Sequence, residues 1–239
     1  MTASATGGAA RVAVVTGASR GLGAAFAPML AEEGFALALG AREMAGLQRL
    51  AAELPAGTLA HPLDVTRGDS VGAFAEAVLG RFGRVDLLVA NAGIGIFRRL
   101  DEISAREFEE TLRVNVLGAW AVAVAFLAAL KESRGMVAMV SSDVSTRTFP
   151  TGGAYTASKF ALRALARTLQ QENPEIRVLE LRPGAVDTSF AGSTPGAPGK
   201  EWFLRPEAVA ETLRLALRLP PEARVEEIVI RSTAQTPEY

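Results

Sequence analysis

Apolar positions in this chain fall into two alternating patterns. Short runs rich in Val, Leu and Ala, such as VAVV at 12–15, show no polar alternation, which predicts strands covered on both faces. Between them lie longer stretches of helix formers with apolar residues at helical spacing. RVAVVTGASRGLGAAFAPMLAEEGFALALGAR reads as strand, glycine turn, helix and strand, with the helix over Ala24 to Glu33, Gly34 at its C-terminal cap and the next strand over 35–40. The pattern continues with helices near 43–53, 69–82, 104–131, 153–172 and 206–218, and strands near 57–63, 85–90, 136–141, 175–181 and 226–231. Seven strands alternating with helices predict an α/β fold with a doubly wound, seven-stranded parallel sheet.

No linker divides the pattern. MTASATGGAA, residues 1–10, is small and polar and reads as a loose tail, leaving 11–239 as a single domain. SFAGSTPGAPGKEW at 189–202 reads as a mobile loop inside that domain. The apolar run 114–130 is short for a membrane span and holds Asn115, so a buried or subunit-interface helix is expected there.

Composition narrows the chemistry. The chain has no cysteine, which excludes disulfides, thiol catalysis and Cys-ligated zinc. Its one histidine, His61, precedes a proline near a strand end and reads as structural, so no metal site and no His-based triad is expected. A net charge of −1 and a pI near 6.0 give no field for nucleic acid or an anionic membrane, and a cytoplasmic location is expected.

Four short segments carry candidate chemistry. TGASRGLG (16–23) sits between the first strand and first helix, with Gly17, Gly21 and Gly23 allowing a sharp turn and close approach to a pyrophosphate at the helix N-terminus. LDV (63–65) and NAG (91–93) end the third and fourth strands, at the edge where open parallel sheets bind ligands. Asp64 is placed to accept a hydrogen bond from an adenine amino group; Asn91 either faces the ligand or ties two strand ends together. YTASK (155–159) opens a helix and holds the only internal tyrosine and one of three lysines.

TGxxxGxG, NAG and YxxxK, in that order and on those elements, resemble the short-chain dehydrogenase/reductase family from about residue 10 to the end. Ser142, thirteen residues before Tyr155, Asn115 in the long helix, and the PGxxxT pattern of RPGAVDT (182–188) extend the resemblance. It implies a Rossmann-type oxidoreductase that moves a hydride between a nicotinamide cofactor and a small-molecule carbonyl or secondary alcohol. Ser142 would orient the carbonyl and Tyr155 would donate the proton. Lys159 would hold the nicotinamide ribose and favour the phenolate. Asn115 would help hold a water linking Lys159 to solvent. Besides Tyr155 and Lys159, the cofactor would contact the turn residues Gly17, Ser19, Arg20, Gly21, Leu22 and Gly23. It would also meet Asp64 and Val65, the Asn91–Ala92–Gly93 segment, and Pro183, Gly184, Val186 and Thr188.

The second strand ends Gly40–Ala41–Arg42, without the carboxylate that commonly selects NAD. Arg42, with Arg20 opposite, is placed to meet a 2′-phosphate, so NADP(H) is preferred, with NAD(H) possible. Candidate substrate residues flank these segments: Asp143, Val144, Phe149, Ala185, Phe190, Trp202 and Phe203, the last two equally suited to core packing. The wholly apolar helix and the family's habit imply a homotetramer, or a homodimer. The alternatives are a nucleotide-sensing regulator on the same fold and a nicotinamide-using epimerase or dehydratase. The complete Asn–Ser–Tyr–Lys set argues against the first, and the short C-terminal region against the second.

Overall fold

A computed structural model describes residues 10–220 and 222–235; the loose tail expected at 1–10 falls, except for Ala10, outside the described residues. The first half alternates β1 (Val12–Thr16), α1 (Gly21–Glu32), β2 (Ala36–Ala41), α2 (Met44–Ala52), β3 (Leu59–Pro62), α3 (Gly68–Phe82) and β4 (Leu87–Ala90). The second half follows with α4 (Ala105–Leu112), α5 (Ala119–Ser133), β5 (Met136–Val140), α6 (Gly153–Glu172), β6 (Arg177–Pro183), α7 (Pro206–Arg218) and β7 (Glu227–Ile230). All seven strands run parallel in the order β3-β2-β1-β4-β5-β6-β7. The order reverses between β1 and β4, where Val15 pairs with Val89, so the crevice of the sheet opens beyond their carboxyl ends.

Strand periodicity splits the core in two. Ala13 and Val15 of β1 join Phe26, Leu30, Val209 and Leu213 of α1 and α7 on one face. Val14 points the other way, into a cluster with Phe74 of α3, Phe126 of α5 and Leu162 of α6. Phe26, Phe74 and Phe126 are fully buried, each contributing about 1.5–3 kcal/mol of transfer free energy.

The helix expected over 104–131 differs in detail. Ser104 and Glu107 start α4 with a reciprocal capping box. A π-helical segment at Arg113–Gly118 then widens the helix before α5 begins. Asn115 lies in that widened turn and is buried. The Ala105–Ser133 stretch is long and apolar enough to cross a membrane, but it packs Val114, Val122, Phe126 and Leu130 into the core.

Charged residues bind the β6–β7 edge to α6. Glu180, fully buried on β6, accepts from Arg163 at 2.7 Å and Ser145 at 2.8 Å. Glu227 on β7 pairs with Arg163, Arg167 and Arg182.

Candidate active site

The six segments that the sequence marked leave the sheet at one edge. Gly17 follows β1, Arg42 β2, Asp64 β3, Asn91–Gly93 β4, Ser142 β5 and Gly184–Thr188 β6. They line a cleft of about 1200 Å³. Every expected cofactor residue lines it except Gly23, and all the expected substrate residues line it, including Trp202 and Phe203.

Gly23 sits behind the wall. A Cβ there would come 2.3 Å from the Gly17 carbonyl oxygen, so the glycine lets α1 pack against the turn. Gly17 has φ +64°, and a Cβ on it would lie 2.9 Å from Ala92 Cα. The first turn of α1 has no side-chain cap and no acidic residue, leaving its N–H groups for an anion. That cradle fits a dinucleotide pyrophosphate.

Asn91 ties strands together. Its Nδ2 donates to the Thr16 and Gly17 carbonyls at 2.9 and 3.3 Å, while its own N–H and that of Ala92 reach Thr16 Oγ1 at 3.0 Å. Thr66 donates to Asp64 Oδ1 from its backbone and its hydroxyl at 3.0 and 2.7 Å. Burial acts to raise the Asp64 carboxyl, but the Thr66 hydrogen bonds, then the Arg42 and Arg67 charges, bring it below the ordinary value. Glu43, the first carboxylate after β2, caps α2 by accepting from the Gly46 N–H at 2.8 Å. Thr188 accepts from the Phe190 N–H at 3.3 Å, an ST-turn that starts the 189–203 loop.

Asn115 does not line the cleft. Its Oδ1 accepts from the Ile94 N–H at 2.8 Å, and its Nδ2 donates to the Ile94 carbonyl at 2.9 Å and Ser158 Oγ at 3.0 Å. Both side-chain donors are committed, so only Oδ1 remains to share with the water expected there.

Ser142, Tyr155 and Lys159 do converge. Ser142 Oγ accepts from the Val144 N–H at 3.3 Å and lies 3.3 Å from Asp143 Oδ1. Behind it, the buried Arg182 donates to the Ser142 carbonyl at 3.4 Å and the Asp143 carbonyl at 3.2 Å. Lys159 Nζ donates to the Val140 carbonyl at 3.0 Å and lies 5.5 Å from the Tyr155 ring centre. Burial pushes the Tyr155 phenol up to about 12, with the Ser142 hydroxyl lowering it and the Asp143 charge raising it. Burial also pushes the Lys159 ammonium down to about 8, opposed by the Glu180 carboxylate. Desolvation is the largest of these influences on the phenol, whose ring the Lys159 ammonium approaches to 5.5 Å.

Asp143 is more constrained than a substrate-lining residue need be. It accepts from Arg147 at 2.6 Å, Gln235 at 2.9 Å and Arg231 at 3.0 Å. Gln235 also accepts from the Ala185 N–H at 3.3 Å, so the segment after β7 forms part of the wall. The sequence reading missed Arg147, Gln235, Gly95 and Phe97. Phe97 was within reach, four residues past NAG at the same sheet edge; Gln235 carries no local signal.

A sheet of this order with a glycine cradle at its switch point defines a dinucleotide-binding Rossmann fold. The chain belongs to the short-chain dehydrogenase/reductase family of oxidoreductases: residues 11–197 match the short chain dehydrogenase family. It is 51% identical, with a TM-score of 0.93, to an alcohol dehydrogenase from the archaeon Thermococcus sibiricus complexed with 5-hydroxy-NADP, covering 96% of this chain and 99% of that one. It is 28% identical, with a TM-score of 0.84, to a 3-ketoacyl-(acyl-carrier-protein) reductase from Brucella melitensis complexed with NADH, covering 92% and 96%. Among curated proteins it is 36% identical over 234 residues to the glycine betaine reductase ATRR of Emericella nidulans. That match covers 92% of this chain but spans only 18% of the reductase's length. Nicotinamide cofactor binding follows from these relatives.

Proposed function

We propose that this protein interconverts a carbonyl compound and a secondary alcohol with NADP(H) as preferred cofactor, in a single catalytic domain. The observation that carries the reading is the convergence of Ser142, Tyr155 and Lys159 at the inner end of a dinucleotide cleft. The nicotinamide, when bound, supplies or accepts the hydride. Tyr155 Oη gives the proton to the carbonyl oxygen in reduction and takes it back in oxidation. A phenol held up at about 12 is fully protonated at neutral pH, which suits it as the acid of the reductive direction. Ser142 orients the carbonyl, with Arg182 fixing its backbone from behind. Lys159 binds the ribose hydroxyls and lowers the cost of the phenolate.

The cofactor preference rests on charge at the end of β2. Arg20 and Arg42 are exposed at the cleft mouth, position 41 is alanine rather than an acidic residue, and Glu43, exposed at the same mouth, has its carboxylate engaged in capping α2. The ligand of the archaeal relative supports NADP(H), and that of the Brucella relative is NADH. Comparing kcat/KM for NADPH and NADH against a panel of ketones, aldehydes and hydroxy acids tests both parts. Equal or higher efficiency with NADH would sink the preference, and no carbonyl or alcohol turnover would sink the reaction.

A homotetramer, or a homodimer, completes the proposal. Leu117, Trp120 and Val124 of the π-helical segment and α5 are exposed, as is Phe160 of α6, and a second exposed apolar pair, Leu215 and Val229, lies on α7 and β7. Light scattering that finds a monomer at micromolar concentration would overturn it.

A further inference from the structure

The substrate end of the cleft is built of rings. Phe97 meets Tyr155 edge-on, with centroids 5.5 Å apart and planes at 86°. Phe190 lies 5.6 Å from Tyr155 and 6.5 Å from Phe97, and Phe149 packs 5.6 Å from Phe97. Benzyl side chains therefore border the Tyr155 ring alongside Ser142 and Lys159. Phe97 and Phe190 keep 44% and 36% of their surface exposed although both line the cleft. Apolar surface left open inside a cleft is surface that an apolar occupant would cover.

Two backbone features hold Phe190 in this position. Position 95 is glycine, and a Cβ there would come 2.6 and 2.9 Å from Phe190 ring atoms and 3.0 Å from the Phe97 ring. The next residue, Ala191, has φ 54°, a left-handed conformation that disfavours any residue with a Cβ. A loop that only covered the cleft with solvated residues would need neither. The Asp143 carboxylate is already partnered by Arg147, Arg231 and Gln235, which leaves it unsuited to gripping a substrate ammonium.

Resting on the carbonyl–alcohol reading, we infer that the site takes aryl ketones and their alcohols, with Phe97 and Phe190 as specificity-determining residues that contact the substrate ring. A substrate that reaches Tyr155 packs against the Phe97 and Phe190 rings beside it. An aryl group next to the carbonyl makes ring contacts there that a methyl group does not.

The test compares 1-phenylpropane-1,2-dione with butane-2,3-dione at saturating NADPH. Both are vicinal diketones, so the carbonyls are similarly activated and the ring is the main difference. The wild-type protein should favour the phenyl compound by about tenfold in kcat/KM. That ratio should fall toward one in Phe190→Ala and in Phe97→Ala, while the Kd for NADPH, read by its fluorescence, stays constant. Equal or better turnover of butanedione by the wild type, or a ratio unchanged in both variants, overturns the inference alone. No turnover of any of these carbonyls with NADPH or NADH overturns it together with the reading on which it rests.

Discussion

The two ends of the cleft are made differently. The cofactor end is backbone: glycine turns and strand termini from β1 to β4, held by hydrogen bonds such as those of Asn91 to the Thr16 and Gly17 carbonyls. The substrate end is side chain: aromatic rings from positions 97, 149 and 190, and an amide from position 235, carried by segments far apart in sequence. The pyrophosphate and nicotinamide are common to NADP(H) and NAD(H), so their seat can be built into the fold. The second reactant varies, and loops and the segment after the last strand can change without disturbing the sheet.

The largest expected effect tests whether Tyr155 joins the two ends. Tyr155→Phe should lower kcat by about a hundredfold to ten-thousandfold while the Kd for NADPH barely moves. A parallel loss of cofactor affinity would mean the phenol holds the cofactor end together and is not only the acid. Next, Ala41→Asp with Arg42→Ser should shift the NADPH-to-NADH preference by about ten- to a hundredfold. KM for the carbonyl should stay level; if it moved comparably, the two ends would not be separable.

Lys159 sits at the junction and can be read through pH. Its ordinary value of 10.5 is pushed to about 8 by burial, so between those values the unfolded chain holds a proton that the native protein has lost. Lys159 therefore weakens the fold below about pH 8, and the native state recovers as pH rises toward 10. Relative to Lys159→Met, the wild type should gain on the order of 2 kcal/mol between pH 7 and pH 10 in denaturant titrations. Tyr155 acts in the opposite sense, with stability lost from about pH 10 to 12, which is why the window stops at 10. A gap that stays constant with pH would show Lys159 to be solvated. The smallest effect belongs to the far wall. Gln235→Ala removes one hydrogen bond to Asp143 and one from Ala185, and should cost about 1 kcal/mol, near fivefold, in kcat/KM for the carbonyl with cofactor affinity unchanged.

The same division explains what could be read from the chain beforehand. Strand runs and helix periodicity are local, and α6 and α7 lie at the positions the pattern predicts, Gly153–Glu172 and Pro206–Arg218. The glycine turn, NAG and YxxxK are also local, so the cofactor end was legible. The π-helical turn was not, because one extra residue per turn leaves an apolar helix looking periodic; only the buried Asn115 hinted at it. The desolvation of the Tyr155 phenol was not legible either, because charge is visible in sequence and burial is not. Gln235 reaches Asp143 across 92 positions, a contact that no local pattern encodes.

The charged edge formed by Glu180, Glu227, Arg163, Arg167 and Arg182 has a consequence for temperature. Removing ions from water costs less as water warms, because their hydration becomes entropically less favourable, while their mutual attraction persists. Apolar burial gains little over the same range. The hold of β6 and β7 on α6, and through Arg182 on Ser142, should therefore strengthen relative to the hydrophobic core on heating. The segment that carries Ser142 would then be among the last to loosen as the protein approaches its melting point.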